Sequence, residues 1–144
     1  MSVDQNKALI RRLYEEAFNK GNLEVVDEIL SPNYVRHGLA PGATPGPEST
    51  KQVFTMMRTA FPDIRITIEP MVGEGDMVAA QLTHHGTHRG EFMGIAPTGK
   101  QVTVTAIGIY HFANKKLVEA WIQMDELGML KQLGGVPPVG KGGG

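Results

Sequence analysis

The sequence has no cysteine, a single tryptophan and no long apolar run. Without cysteine there is no disulfide, no thiolate metal site and no cysteine nucleophile. Residues 1–7 lack the apolar segment of a signal peptide, and no apolar stretch approaches the roughly 20 residues that span a membrane. We therefore expect a cytoplasmic protein with no membrane partner.

An excess of positive charge is also missing. The chain has 14 Lys and Arg against 15 Asp and Glu, so its formal net charge is −1 at pH 7. Because no basic cluster could neutralise a run of phosphates, we expect no nucleic acid partner.

A length of 144 residues is typical of one domain with one core. We predict a single domain over residues 1–134 and a flexible tail, rich in Gly and Pro, over 135–144.

The first 60 residues carry three helical patterns. Apolar residues spaced by three and four over 10–18 predict an amphipathic helix. Shorter patterns predict a second helix over 23–30 and a third over 47–60, which begins with a proline. Between the second and third helices we expect a short edge strand over 34–37. The following segment, 38–47, has three Pro and three Gly and is interpreted as a lid or rim loop.

The period of the sequence then changes to two. Over 64–69 isoleucine alternates with polar residues, which is typical of a strand with one buried face. Further strands are expected over 77–87, 101–112 and 117–125, and strands joined in this way normally pair as antiparallel neighbours. The three helices have one large apolar surface to cover, the concave face of this twisted sheet. We therefore predict an α+β fold with a curved antiparallel sheet and a cavity beneath the helices.

Three segments carry a family resemblance: 13–22 (LYEEAFNKGN), 94–100 (GIAPTGK), and 121–125 (WIQMD) together with Gly128 and 132–134 (QLG). On these segments the chain resembles the SnoaL-like polyketide (ester) cyclases of the nuclear transport factor two-like superfamily, over nearly its whole length. The resemblance implies a cone-shaped α+β barrel around a mostly apolar cavity, with no metal and no organic cofactor. It also implies a homodimer formed through the outer face of the sheet.

The resemblance also implies a chemistry. In the cyclases that this sequence resembles, an Asp acts as general acid and base while a carbocycle closes on an activated ester. Such proton transfer at a carbon between carbonyls requires a well-placed carboxylate and a dry pocket. In an ungapped alignment the family's catalytic Asp falls on Ile122 and its supporting His on Gly108, neither of which exchanges a proton. Asp125, three positions further on, is then the candidate acid or base.

Each candidate catalytic residue has a structural alternative. Asp125 is interpreted either as a general base at the cavity mouth or as the N-cap of the helical turn that follows it. His37 is either a hydrogen-bonding partner for a ligand at the rim or an exposed loop histidine. His84 and His85 point to opposite faces of a strand and have no acidic ligand at a matching spacing, so we predict no metal site there.

Strand alternation divides the predicted sheet into two faces. If Gly108 and Ile122 mark the cavity side, then Ile109 and Trp121 lie on the outer side, which is too apolar for a solvated surface. This pattern favours a sheet-to-sheet dimer. The residues predicted to form the cavity wall are Phe18, Tyr34, Phe61, Ala106, Gly108, Tyr110 and Ile122.

Three functional hypotheses follow. The leading one is a cofactor-independent enzyme of the SnoaL-like type, a cyclase, isomerase or hydrolase that acts on a small, apolar carbonyl compound by general acid/base catalysis. The second, favoured by Ile122 and Gly108 at the family's catalytic positions, is a non-catalytic protein that binds a small hydrophobic ligand. The third is a dimeric interaction module. An enzyme requires a titratable group facing a closed pocket, whereas a binding protein requires the pocket alone.

Overall fold

The structure is a computed structural model, and it describes residues 2–38 and 45–134. The helices are α1 (Val3–Arg12), which continues as a π-helix (Leu13–Asn19), α2 (Glu24–Ile29), α3 (Pro47–Ala60) and α4 (Glu126–Leu133). The strands are β1 (Leu30–His37), β2 (Arg65–Glu74), β3 (Met77–Thr87), β4 (Gln101–Ala113) and β5 (Lys116–Met124). Most of the predicted lid loop and the whole predicted tail, 135–144, lie outside the described residues.

The five strands form one sheet in the order β1-β5-β4-β3-β2. Strands β2 to β5 are the predicted antiparallel meander, and the α+β fold class is confirmed. The sheet is nevertheless mixed, because β1 pairs in parallel with β5. A parallel pair requires a crossover rather than a hairpin, and here α3 and the other three strands separate β1 from β5 along the chain.

Burial alternates residue by residue along β4. Gly108 and Tyr110 are buried, whereas Ile107 and Ile109 between them are exposed, as the alternation predicted. Gly108 pairs directly with Ile122 across β4 and β5. Continued back from Ile122, the same alternation predicts that Val118 faces the cavity, but Leu117 is buried there and Val118 is only half-buried, so this prediction was wrong. The register shifts at this point, and such an irregularity changes which alternate residues face inward.

The helices cover the concave face of the sheet. The π-helix buries Leu13, Tyr14, Ala17 and Phe18, and α3 buries apolar residues that include Phe54 and Met57. Within residues 2–38 and 45–134, no helix is both long and apolar enough to cross a membrane.

The side chain of Asn19 covers part of the open edge of the sheet. Strand β2 lies at that edge, so some of its backbone groups have no strand partner. The Asn19 Nδ2 donates to the Ile66 carbonyl oxygen at 2.9 Å, and the Ile66 N–H donates to Asn19 Oδ1 at 2.8 Å. One amide side chain thereby satisfies both backbone groups of Ile66 and joins the π-helix to the sheet.

We predict that Asn19→Ala lowers the free energy of unfolding by about 1 to 3 kcal/mol, because two buried backbone groups lose their partner. Urea denaturation of the variant measures the change. Lys20→Ala, at the neighbouring exposed position, is the control and is expected to shift stability by no more than about 0.5 kcal/mol. Equal stability of the two variants would contradict this role for Asn19.

Candidate functional site

A cavity of about 370 Å³ lies between the helices and the concave face of the sheet. Its wall is mainly apolar and includes Phe18, Phe54, Leu82, Phe92 and Ile122. Five methionines also line it: Met56, Met57, Met93, Met124 and Met129. Because Met56, Met93 and the lining residue Glu126 are exposed, they mark the opening of the cavity. Flexible thioether side chains at an opening allow the wall to adapt to ligands of different shape.

The π-helix supplies two residues of the wall. Tyr14 and Phe18 both lie in this segment, and both are buried. A π-helix has a wider turn than an α-helix and occurs frequently at functional sites. The Phe18 ring lies edge-on to the His84 ring, with centroids 6.2 Å apart. The irregular end of the first helix is therefore part of the cavity itself.

Two polar side chains in this apolar wall have atoms without a hydrogen-bond partner. The Nε of Arg36 and the Nδ1 of His84 are buried and unpaired within the described part of the chain. Both residues line the cavity, and His84 is only 6% exposed. Since buried polar groups in native proteins are nearly always paired, polar side chains with unpaired atoms beside a cavity are candidates for a role toward a ligand.

Burial determines the protonation states of the histidine and tyrosine side chains around the cavity. Burial lowers the pKa of His84 to about 4; an interaction with the backbone of Val104 opposes this shift, and the positive charge of Arg36 adds to it. His84 is therefore neutral at pH 7. Burial raises the pKa of Tyr34 to about 12 and also raises the pKa values of Tyr14 and Tyr110, so all three phenols stay protonated at neutral pH. Arg36 is the one permanent charge that acts on all of these groups.

A pair of phenols occupies the region where the resemblance implies a catalytic histidine. The hydroxyl groups of Tyr14 and Tyr110 are hydrogen-bonded at 2.6 Å and are buried. A β-carbon built on Gly108 would overlap the Tyr110 hydroxyl. The absence of a side chain at Gly108 thus leaves room for the phenol, and Tyr110 connects β4 to the π-helix through Tyr14.

Asp125 caps α4. Its carboxylate accepts a hydrogen bond from the Gly128 N–H at 2.9 Å, and the residue is exposed. It borders a shallow groove on the outer side of the sheet, together with Ile107 and Gln123, and is not among the residues that line the cavity. The structural alternative considered for Asp125 is therefore the arrangement observed. A role as acid or base stays a prediction.

His37 also lies on the outer side. Its Nε2 is 2.6 Å from Glu119 Oε2, and its ring stacks on Trp121 with centroids 5.3 Å apart. The side chain is 43% exposed and is not among the cavity-lining residues. The structure thus does not bring Asp125 and His37 together at the cavity wall.

The seven predicted wall residues divide into two groups. Phe18 and Ile122 line the cavity. The other five are buried in the core but are not part of the lining: Tyr34, Phe61, Ala106, Gly108 and Tyr110. Phe61, for example, packs on Phe92 with centroids 5.3 Å apart and on His88 at 5.5 Å.

Sequence reasoning missed Arg36 and did not distinguish His84. The available signal was strand alternation, because Arg36 follows Tyr34 by two residues and His84 follows Leu82 by two. His84 is buried and His85 is exposed, as their opposite faces predicted. In the part of the chain that the structure describes, no three His, Asp or Glu side chains come close enough to hold a metal ion.

Known proteins resemble this chain in sequence and in fold. The sequence model of the SnoaL-like polyketide cyclase family matches residues 8–133. The aklanonic acid methyl ester cyclase AcmA of Streptomyces galilaeus is 31% identical over 134 residues, 92% of each chain. TsrD from Streptomyces laurentii has a TM-score of 0.87 at 26% identity, over 94% of this chain and 99% of TsrD. IdmH from Streptomyces antibioticus has a TM-score of 0.78 at 37% identity, over 90% of this chain and 99% of IdmH.

The lowered pKa of His84 predicts a specific acid sensitivity. The folded-state pKa of about 4 lies below the ordinary value of 6.5, so the unfolded chain binds the proton more tightly and stability falls as pH drops from 6.5 towards 4. Between pH 7.5 and pH 4.5, the wild type should lose about 2 to 3 kcal/mol more than His84→Gln. Urea denaturation at both pH values measures this difference.

The matched control is His85→Gln at the exposed neighbouring position, which should lose as much stability as the wild type does. Identical losses of stability for His84→Gln and the wild type would refute the assignment of the lowered pKa to His84.

Proposed function

The chain belongs to the SnoaL-like polyketide cyclase family, and on that premise we propose that it is a cofactor-independent enzyme that acts by proton transfer on a small, apolar carbonyl compound. The observation that carries the proposal is that Arg36 and His84, each with a buried nitrogen that has no hydrogen-bond partner in the described residues, line a mainly apolar cavity. Such a wall excludes water, and a dry site strengthens the effect of the few polar groups in it.

The proposed reaction begins with a carbon–hydrogen bond between two carbonyl groups. The neutral imidazole of His84 accepts that proton, and the electron pair left on carbon delocalises onto a carbonyl oxygen to form an enolate. The guanidinium of Arg36 stabilises the negative charge on this oxygen. Burial disfavours the imidazolium that results, but the enolate formed beside it is a compensating charge.

The same residues can complete a ring closure. The enolate carbon attacks a second carbonyl group of the same molecule, and the His84 imidazolium returns its proton to the alkoxide that forms. One carbon–carbon bond is made, the proton is conserved, and no oxidant or reductant is needed. This sequence is an intramolecular aldol reaction, a class consistent with the ester cyclase named among the relatives.

These roles differ from the assignment made from sequence. Asp125 caps a helix and His37 stacks on Trp121, so neither position supports an acid–base role in the cavity. We propose Arg36 and His84 in their place. The Tyr14 and Tyr110 hydroxyls, which stay protonated because burial raises their pKa values, would position the pair by holding the π-helix against β4.

Ligand binding without turnover is the second candidate function. It is favoured by one observation: Gly108 and Ile122, which stand at the family's catalytic positions, pair across β4 and β5 and carry no titratable group. A binding protein needs the cavity and its shape, and no residue able to accept a proton.

Deuterium uptake by methyl benzoylacetate, followed by proton NMR, separates the two functions. We predict that the wild type accelerates exchange at the carbon between the carbonyls. Arg36→Gln and His84→Gln should each lower the enzymatic rate by about 10²-fold or more, because each removes one half of the proton-transfer machinery.

Two control variants sharpen this assay. Asp125→Asn should keep the wild-type rate, because Asn is as good an N-cap as Asp, and His85→Gln should keep it as well. If Asp125→Asn abolishes exchange while the cavity variants remain active, the sequence-based assignment is right and this one is wrong. Binding of the ester without any acceleration of exchange would favour the binding protein.

We also propose that two copies associate through the outer face of the sheet. Ile107, Ile109 and Trp121 are 56%, 42% and 38% exposed on the neighbouring strands β4 and β5. Ile109 and Trp121 are cross-strand partners, and with Val72 of β2 they belong to one apolar row across this face. Exposed apolar area of this kind is typical of an interface between subunits.

Replacement of Ile107 by Glu should therefore convert a dimer to a monomer, because a charge in an apolar interface loses its hydration without gaining a partner. Sedimentation equilibrium of wild type and variant measures the change. Met56→Glu, at a similarly exposed position on the helix side of the molecule, should remain dimeric. A wild type that is monomeric at all concentrations tested would refute the proposed dimer.

A further inference from the structure

The charge of Arg36 has no counter-ion in the described part of the chain. The ion pairs found there join Arg12 to Glu16 and Glu28, His37 to Glu119, and Lys51 to Asp27 and Glu48. Arg36 takes part in none of them, although it is half-buried and its Nε is fully enclosed. A partly buried cation loses part of its hydration, and Arg36 has no carboxylate partner among the described residues to compensate for that loss.

The groups nearest to Arg36 do not compensate it either. His84 and the phenols of Tyr14, Tyr34 and Tyr110 are neutral at pH 7, because burial opposes their charged forms. Glu126 is the single carboxylate among the cavity-lining residues, and it is exposed at the opening and forms no ion pair with Arg36. Within the described residues, the wall of the cavity is therefore mainly apolar, with Arg36 as its one fixed positive charge and Glu126 at the opening.

We infer that the ligand of this cavity is bound as an oxyanion, and that the preferred ligands are acidic enols and phenols, including enolised 1,3-dicarbonyl compounds, held with their ionised oxygen against Arg36. The inference rests on the cavity being the ligand site of the proposed function. It goes beyond that function because it concerns the bound ground state: Arg36 should make a bound enol or phenol more acidic than it is in water.

Charge delocalisation favours an enolate or phenolate over a carboxylate as the oxyanion. A carboxylate concentrates its charge on two oxygens and requires several hydrogen-bond donors when it leaves water. An enolate or phenolate spreads its charge over a conjugated system, whose carbon part can contact the apolar wall. The cavity offers Arg36, the neutral side chain of His84 and mainly apolar surroundings, which suit one ionised oxygen on a flat apolar body.

Titration of bound para-nitrophenol tests the inference, because the phenol and the phenolate have different absorption spectra. We expect the pKa of para-nitrophenol to fall by at least about one unit when it binds to the wild type, as expected from an opposite charge at close range. Its methyl ether, para-nitroanisole, has nearly the same shape and cannot ionise. Above the phenol's pKa, the phenolate should bind about tenfold or more tightly than the ether, as measured by calorimetry.

Arg36→Gln is the matched variant. It should abolish both the pKa shift and the preference for phenolate over ether, while the affinity for the ether stays within about twofold of the wild type. Retention of ether binding shows that the variant cavity is folded. A bound phenol with an unchanged or raised pKa, or a shift that persists in Arg36→Gln, would overturn the inference.

Para-nitrobenzoate tests whether the cavity prefers a carboxylate to an enolate or phenolate. If it binds more tightly than the phenolate and depends equally on Arg36, the preferred oxyanion is a carboxylate and the inferred ligand class is wrong. The result is also separable from the proposed function. Deuterium exchange without the phenol pKa shift would refute this inference alone, whereas the shift without exchange would support it and refute catalysis.

Discussion

The uninterrupted pairing of β3 with β4 is the constraint on which the site depends. The two strands pair from Met77 with His111 to Thr87 with Gln101, without a register shift. Because side chains alternate in a strand, this register directs Leu82, His84 and Tyr110 to the concave face and Ile107 and Ile109 to the outer face. A slip of one residue would exchange the two faces, and both the cavity wall and the outer apolar surface would be lost.

The electrostatic character of the cavity follows from its apolar construction. In a wall made mainly of Phe, Leu, Ile and Met side chains, burial keeps His84 and the tyrosines neutral, and the charge of Arg36 acts on all of them. The same apolar wall that would hold a hydrophobic molecule therefore also makes one cation effective over several neighbouring groups. The proposed binding of a hydrophobic molecule and the proposed stabilisation of an oxyanion would both follow from this one arrangement.

Much of the fold could be predicted because local patterns specify it. The helix over 47–60, the alternation of β4 and the meander over 64–125 each follow from periodicities that neighbouring residues carry. The parallel pairing of β1 with β5 could not be predicted, because it joins segments about 85 residues apart through a crossover.

The site was harder to predict. Asp125 combines a chemically useful group with a good N-cap, and the pattern alone does not decide between the two.

The sequence by itself determined the α+β class, the two faces of β4, and membership of the SnoaL-like polyketide cyclase family, since each depends on residue type and spacing along the chain. Only the tertiary structure decided which polar groups reach the cavity. Arg36 and His84 come from β1 and β3, and both line one cavity only because β1 joins the sheet beside β5. Whether a polar atom finds a partner depends on every element packed around it, and no local pattern contains that information.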